Sequence, residues 1–487
     1  VIRLGSSTIG RALAWGAGGS LLMRFGSLVV GIVLARLLTP ADFGVFAVAL
    51  TVSTILMSIS DLGLSAGLIR SKDPDGDGPT VATIGLSVGL ALCILVMSAS
   101  GLVERAFGVA GSAAVVSVIA LSIPVGSAGL VPYALLLRRY HQKQVLMASA
   151  ADFVVGTTVT LVLVSLGMGP MALAVSRVAA QAASTTVQYL GAGVRPRFGF
   201  DSARVSPAVR FGLPIAGANL LSWVVISVDN VIVGRIGGEV ALGLYVLAFN
   251  VSTWPMTAIG QAVRSVALPW FAVPDAESAA SDRSLARAGA LTWAAALPAG
   301  GLLALLAGPI IATLYGPNWS GATGALAALG VFGALRVMFD LFATYLTARG
   351  APRAVLWIQI LWVVGLVPAV IVGAHGHGIV GVAWAHTIVG VVLVAPAYLV
   401  AAQRRGADLA ALARGLLPPV VAGTVAVCPV IFVARTFEHP ILQASAAGVA
   451  GLLLYGVVIR HWVVGIVRHP DDDRPTVVAR ARGAHRV

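Results

Sequence analysis

The sequence predicts an all-α polytopic membrane protein of about 14 transmembrane helices, and three observations lead there. The 487 residues are 58% hydrophobic and only 10% charged, with a mean hydropathy of +0.94, a composition that no water-soluble domain keeps dissolved. Apolar runs long enough to cross about 30 Å of hydrocarbon recur from end to end, whereas period-two alternation is absent, so the spans are helices rather than barrel strands. Lysine and arginine crowd alternate connections, as the positive-inside rule requires of correctly counted spans.

Taken in order, the spans cover residues 12–36, 43–69, 80–101, 112–137, 146–167, 170–192, 209–234, 241–271, 287–312, 322–347, 354–373, 378–400, 415–435 and 441–464. The first carries Arg24 and continues to Leu38 without a small-residue cleavage pattern, so it is expected to persist as a span. TPAD (39–42) joins it to the second: Thr39 suits an N-cap, Pro40 the first helical turn, and Asp42 the returning carboxylate of a capping box. Prolines break the backbone ladder inside later spans, at Pro124 and Pro132 in the fourth, Pro255 and Pro269 in the eighth, and Pro298 in the ninth, where bends are expected.

Of the 32 basic residues, 24 fall on one set of ends and loops, and only Arg36, Arg105, Arg235 and Arg435 on the opposite set. The remaining four, Arg24, Arg177, Arg264 and Arg336, lie within spans. Both termini are therefore expected in the cytoplasm, with the chain in the cell membrane. The formal charge of +13 is a consequence of topology, because the cations form no stripe of the kind a nucleic acid would need.

The chain repeats itself. ARLLTPADFGVFAVALTVST (35–54) aligns without gaps to GRIGGEVALGLYVLAFNVST (234–253), pairing Arg36 with Arg235, Gly44 with Gly243, Ala49 with Ala248, and Ser53 with Ser252 at an offset of 199 residues. Six spans separate the copies, so both have the same orientation and are related by a pseudo-two-fold axis along the membrane normal. The expected organisation is an N-terminal six-helix bundle (1–194), a cytoplasmic linker (195–209), a C-terminal six-helix bundle (210–400), an extra helix pair (401–464) and a cytoplasmic basic tail (465–487). The linker sequence RPRFGFDSARVSPAVR suits a segment on the membrane surface and equally an ordinary polar loop.

Charges inside spans carry the chemical signal, since each costs on the order of 3 kcal/mol at mid-bilayer on insertion scales. Arg24 lies twelve residues from Arg36, or about 18 Å deep at 1.5 Å per residue. Asp61 lies in the inner half of the second span, and Arg264 maps through the repeat onto Ser65, one turn from it. Arg24, Asp61 and Arg264 are three unpaired mid-span charges that call for a wet interior, and Arg177 lies in the outer third of the sixth span. Asp61 is assigned to charge balance or coupling, as are Arg336 and Asp340, which are spaced as an i,i+4 pair. Asp152 and Asp229 lie nearer span ends and read as hydrogen-bonding or interfacial residues, and His386 reads as an interior histidine or, alternatively, a proton relay.

No catalytic or cofactor site is called for. The connections LTPADF, LGMGP, IGGEVA, LYGPNWSG and GAHGHG are short, leaving no sizeable loop for catalytic carboxylates. Neither a Walker sequence nor HExxH is present, and the HGH at 375–377 has too few neighbouring ligands for a metal. Cys93 and Cys428 each sit inside an apolar run, which argues against a disulfide framework.

ARLLTPADFGVFAVALTVSTILMSISDLGLSAGLIR (35–70), LVPYALLLRRY (130–140), VDNVIVGRIGGEVALGLYVLA (228–248) and LYGPNWSGA (314–322) resemble the Wzx-type polysaccharide transporter branch of the multidrug/oligosaccharidyl-lipid/polysaccharide exporter superfamily. The resemblance spans residues of about 10 to 400 and implies two six-helix bundles forming a V-shaped cleft, plus two C-terminal helices. It implies alternating access that moves a polyprenyl-diphosphate-linked oligosaccharide between leaflets for cell-surface polysaccharide synthesis, with cleft cations on the diphosphate or acidic sugars, which makes Arg24, Arg177 and Arg264 the candidate substrate-binding residues. The implied partners are that substrate, membrane lipid, and the polysaccharide polymerase and glycosyltransferases of the pathway. A peptidoglycan-precursor flippase or a drug exporter of the same superfamily is the near alternative, and a membrane-embedded glycan-assembly enzyme is the alternative from another class.

Overall fold

A capping box starts the second helix. The Thr39 amide donates to Asp42 Oδ2 at 2.9 Å and its hydroxyl donates to the same oxygen at 2.7 Å, while the Asp42 amide donates back to Thr39 Oγ1 at 3.2 Å. Two donors orphaned at the helix start are thereby satisfied, and a tight turn links the first two helices. The protein is seen in a computed structural model that describes residues 26–61, 63–272 and 280–468. Among the described residues every regular element is helical.

The helices are α1 (Gly26–Leu37), α2 (Pro40–Asp61), α3 (Leu64–Arg70), α4 (Pro74–Phe107), α5 (Ser112–Ala120), α6 (Ser122–Ala128), α7 (Leu130–Arg138), α8 (Gln142–Ser165) and α9 (Pro170–Ala192). They continue as α10 (Ser202–Ala272), α11 (Ala280–Leu305), α12 (Ala307–Leu314), α13 (Thr323–Ala348), α14 (Pro352–Val389), α15 (Ala395–Gln403), α16 (Leu409–Thr436) and α17 (Pro440–Arg468). Nine described segments are long and apolar enough to cross a membrane, or ten if the bent α5–α7 stretch is one span. The expectation of about 14 counted more for physical reasons. The first span lies largely outside the described residues, and α9 carries too many polar side chains to pass on apolarity. Two predicted spans run together in α10 across Gly238 and two more in α14 across His377 and Gly378, where the backbone leaves helical geometry. In α14 this break is a tight hairpin: Gly373 and Gly381 lie so close that a Cβ on either would strike the other's carbonyl.

The chain divides into two compact units, Val1–Val246 and Leu247–Val487. In the first, α9 packs against α8, α5, α6 and α7, and α2 against α4, α5 and α6. One apolar cluster gathers Leu34, Leu38 and Leu173, and another gathers Leu64, Leu68, Val81 and Ala134. The prolines of the predicted fourth span fall where that span is in pieces, with Pro124 in α6 and Pro132 in α7, and the axis turns by 46° at Gly129. Still within this unit, the start of α2 crosses the 239–243 segment of α10 at Gly44 and Gly243, positions that the repeat makes equivalent.

In the second unit α13 is the central helix, packed between α11 and α14, while α16 and α17 pair with each other and lean on α11. Helices α11 and α13 meet at Gly300 and Gly330, where a Cβ on the first would lie 2.5 Å from the other's carbonyl oxygen. Phe332, Phe339 and Phe342 of α13 build an aromatic layer with Trp362 and Tyr398. His386 is 6% exposed with its ring 5.0 Å from that of Phe332, an interior position. In the connection after α12, burial pushes the Tyr315 phenol up to about 12.

Candidate functional site

Helix α9 would be an ordinary apolar span but for Arg177, Gln181, Thr185 and Gln188, which recur every turn and so share one face. Arg177 Nη1 lies 3.2 Å from both carboxylate oxygens of Asp152 on α8, and its Nη2 donates to Gln181 Oε1 at 3.3 Å. Gln181 Nε2 reaches Thr185 Oγ1 at 3.5 Å. The ladder then meets the broken span: the Thr185 hydroxyl donates to the Val125 carbonyl at 3.2 Å, and the Tyr189 hydroxyl to the Ala128 carbonyl at 2.7 Å. Those carbonyls belong to the turn before the bend, where a break in the helical ladder needs side-chain donors.

Serines extend this polar seam into the α2–α6 contact. Ser53 and Ser122 hydroxyls lie 3.3 Å apart, and Ser127 donates to Ser60 at 3.4 Å. Close packing makes room for the amides. A Cβ on Gly126 would lie 3.5 Å from the Gln181 amide, and one on Gly129 only 2.7 Å from Gln188 Oε1. The Arg177 and Asp152 side chains are each 32% exposed, so the charged end of the ladder is open while the hydroxyl end is packed.

Asp61 ends α2, and the next described residue, Gly63, is left-handed with φ 64°. The second span is therefore interrupted, where the sequence predicts a continuous helix over 43–69. Across the interruption Asp61 Oδ1 accepts the Ser65 amide at 3.3 Å, holding the start of α3. A carboxylate near a helix N-terminus satisfies an orphan donor and the helix dipole together.

A second polar cluster forms behind Gly243. Asp229, 2% exposed, accepts the Tyr245 hydroxyl at 2.7 Å and the Asn230 amide at 2.9 Å, and Asn230 Nδ2 donates to Thr51 Oγ1 at 3.2 Å. This is the hydrogen-bonding role expected of Asp229. Asp152, by contrast, enters the site as the partner of Arg177. The available signal was the polar stripe on α9, which needs an acid from a neighbouring helix once its arginine is half-buried.

Of the remaining candidates, Arg24 lies outside the described residues, and Arg264 lies on the described backbone of α10 with its side chain outside the description. Arg336 and Asp340 sit one turn apart on α13, both half-buried, and no ion pair joins them. Among the described residues Arg336 has no acidic partner, an expensive state for a guanidinium within a span.

Helices of membrane-crossing length, a broken span and charged side chains within the spans define a polytopic α-helical membrane protein. The fold is similar to that of a solved lipid II flippase MurJ in an inward closed conformation, with TM-score 0.77 at 13% identity over 92% of this chain and all of that one. A family model described as "Polysaccharide biosynthesis protein" matches residues 33–323, and the chain belongs to that family, a Wzx-type polysaccharide transporter branch of the exporter superfamily. The chain is 25% identical over 472 residues to the succinoglycan biosynthesis transport protein ExoT of Rhizobium meliloti (strain 1021), covering 93% of each. It is 23% identical over 395 residues to the lipopolysaccharide biosynthesis protein WzxC of Escherichia coli (strain K12), covering 79% of each.

Proposed function

We propose that the protein is a flippase that moves a polyprenyl-diphosphate-linked oligosaccharide across the cytoplasmic membrane by alternating access, supplying cell-surface polysaccharide synthesis. The observation that carries the reading is end-to-end similarity to a succinoglycan transport protein in a chain that holds charged and amide side chains inside its spans. An oligosaccharide head offers hydroxyls to amides such as Gln181 and Gln188, which are half-buried, and a diphosphate offers oxygens to guanidinium forks. Arg24, Arg177 and Arg264 are assigned to the anionic head, with Arg336. Asp61 and Asp340 balance or couple that charge. The hydrocarbon tail stays in lipid while the head crosses. Both termini face the cytoplasm by the distribution of basic residues, and a polymerase and glycosyltransferases act on either side of the transport step.

A peptidoglycan precursor is the second reading, favoured by the MurJ-like fold, because it shares the diphosphate. A glycan-assembly enzyme is disfavoured because the similarity to a relative named a transport protein covers 93% of both chains. The test is reconstitution into liposomes with a fluorescent undecaprenyl-diphosphate oligosaccharide, scoring how much becomes accessible to an external glycosidase. Accelerated exposure over empty liposomes is expected. Equal rates, or transfer of sugar without leaflet movement, would overturn the proposal.

A further inference from the structure

An open groove of about 880 Å³ runs along the second unit between α14 and α15, outside every residue assigned to transport. Its walls are apolar and include Trp357, Leu361 and Val392, which are 68%, 40% and 62% exposed. One end is different, because Arg404 and Arg405 close it. Among the described residues neither arginine has an acidic partner, and the nearby carboxylate of Asp408 is committed to capping α16 through the Ala411 amide at 2.9 Å. Arg349 adds to the charge there. Its carbonyl accepts Arg405 Nη1 at 3.4 Å, its guanidinium sits 5.5 Å over the Tyr345 ring, and its buried Nε has no hydrogen-bond partner. The Arg405 backbone is itself held by the Tyr345 hydroxyl at 3.3 Å.

The dimensions select the occupant. From Arg404 to Val392 is twelve residues, about 18 Å along a helix, close to half of the roughly 30 Å hydrocarbon thickness. The groove is therefore one leaflet deep, with cations at the headgroup level and an apolar trough beneath. A π-turn at Gly390–Val394, followed by Pro396, ends the trough and turns Val392 outward. A free phosphate would not use the trough, and a polyprenyl chain would overrun it.

We infer that this groove is a specific site for one anionic glycerophospholipid, its phosphate on Arg404 and Arg405 and an acyl chain lying between α14 and α15. Placement in the inner leaflet rests on the proposed cytoplasmic location of the basic ends; the site itself does not depend on what is transported.

The test is native mass spectrometry of the detergent-purified protein titrated with phosphatidylglycerol or phosphatidylcholine, with no oligosaccharide present, so that its failure leaves the transport reading untouched. One phosphatidylglycerol is expected to stay bound in preference to phosphatidylcholine. R404Q/R405Q should lower that preference about 25-fold, each cation being worth roughly fivefold beside anionic lipid. Val392→Trp, which fills the trough and leaves both arginines, should also lose the lipid while the thermal melt stays within a few degrees of wild type. Equal retention of the two lipids, or an unchanged preference in R404Q/R405Q, would overturn the site. Displacement of phosphatidylglycerol by an equimolar polyprenyl phosphate would reassign the groove to the substrate tail and overturn it equally.

Discussion

Gly44 and Gly243 occupy the same place in the two copies of the repeat, and the structure packs them backbone to backbone. A Cβ on Gly243 would lie 3.0 Å from the Gly44 amide nitrogen and would run into the Pro40 carbonyl, while one on Gly44 would run into the Glu239 carbonyl. Backbone atoms cannot rotate aside as a side chain can. Gly44→Ala and Gly243→Ala should therefore each destabilise by roughly 1–3 kcal/mol, and the double variant by less than the sum, because either substitution already forces the crossing apart. Thermal unfolding of the detergent-solubilised protein measures this; full stability in either single variant would show that the crossing yields cheaply.

The Arg177–Asp152 pair separates a structural from a binding role. At 32% exposure the ion pair contributes modestly to stability, so Arg177→Gln should leave the fold intact, while Asp152→Asn, which leaves a guanidinium unpaired within a span, should lower the melting temperature without unfolding the protein. Their effects on transport should diverge. Arg177→Gln removes a cation from the anionic head and should lower the rate several-fold, whereas Asp152→Asn frees the guanidinium and should tighten the apparent affinity for a diphosphate. A purely structural bridge predicts that both variants lose activity together.

Asp61 has two separable properties, an acceptor oxygen for the Ser65 amide and a charge. Asp61→Asn keeps an acceptor and Asp61→Ala keeps neither. If holding the start of α3 is its whole function, Asp61→Asn should transport at close to the wild-type rate while Asp61→Ala loses about 1 kcal/mol of stability, a typical cap value. If its charge balances the cations, Asp61→Asn should slow transport with no change in melting temperature. Rates across pH in reconstituted liposomes distinguish the two.

What the sequence makes legible here is local or repeated. The Thr39–Asp42 cap, the prolines of the broken span and the equivalence of Gly44 with Gly243 are all readable because turn chemistry, ring sterics and an ungapped alignment act within short windows. The interruption after Asp61 is not readable, since MSISDLGLSAGLIR keeps span-like apolarity and Gly63 alone does not require a break. The pairing of Asp152 with Arg177 is not readable either, because it depends on the register of α8 against α9, which packing sets and spacing does not. Arg336 and Asp340 fail in the opposite way: i,i+4 spacing makes an ion pair available, but side-chain direction decides whether it forms.

Arg336 is the sharpest test of whether intramembrane charge here serves function at the expense of stability. It lies half-buried on the central helix of its unit between the buried residues Ala334 and Val337, and among the described residues no acid pairs with it. A guanidinium in that position costs on the order of 3 kcal/mol relative to an apolar side chain, a cost reduced wherever water reaches it. Arg336→Leu should accordingly raise the melting temperature, because it removes that cost and restores apolar packing on α13. If the cation meets the anionic head of the substrate, the same variant should lose at least tenfold in transport, while Arg336→Lys retains charge without the planar fork and recovers part of the rate. A variant that is both more stable and fully active would show that Arg336 reaches water for its own solvation alone, and the anion-binding role would then rest on the other arginines.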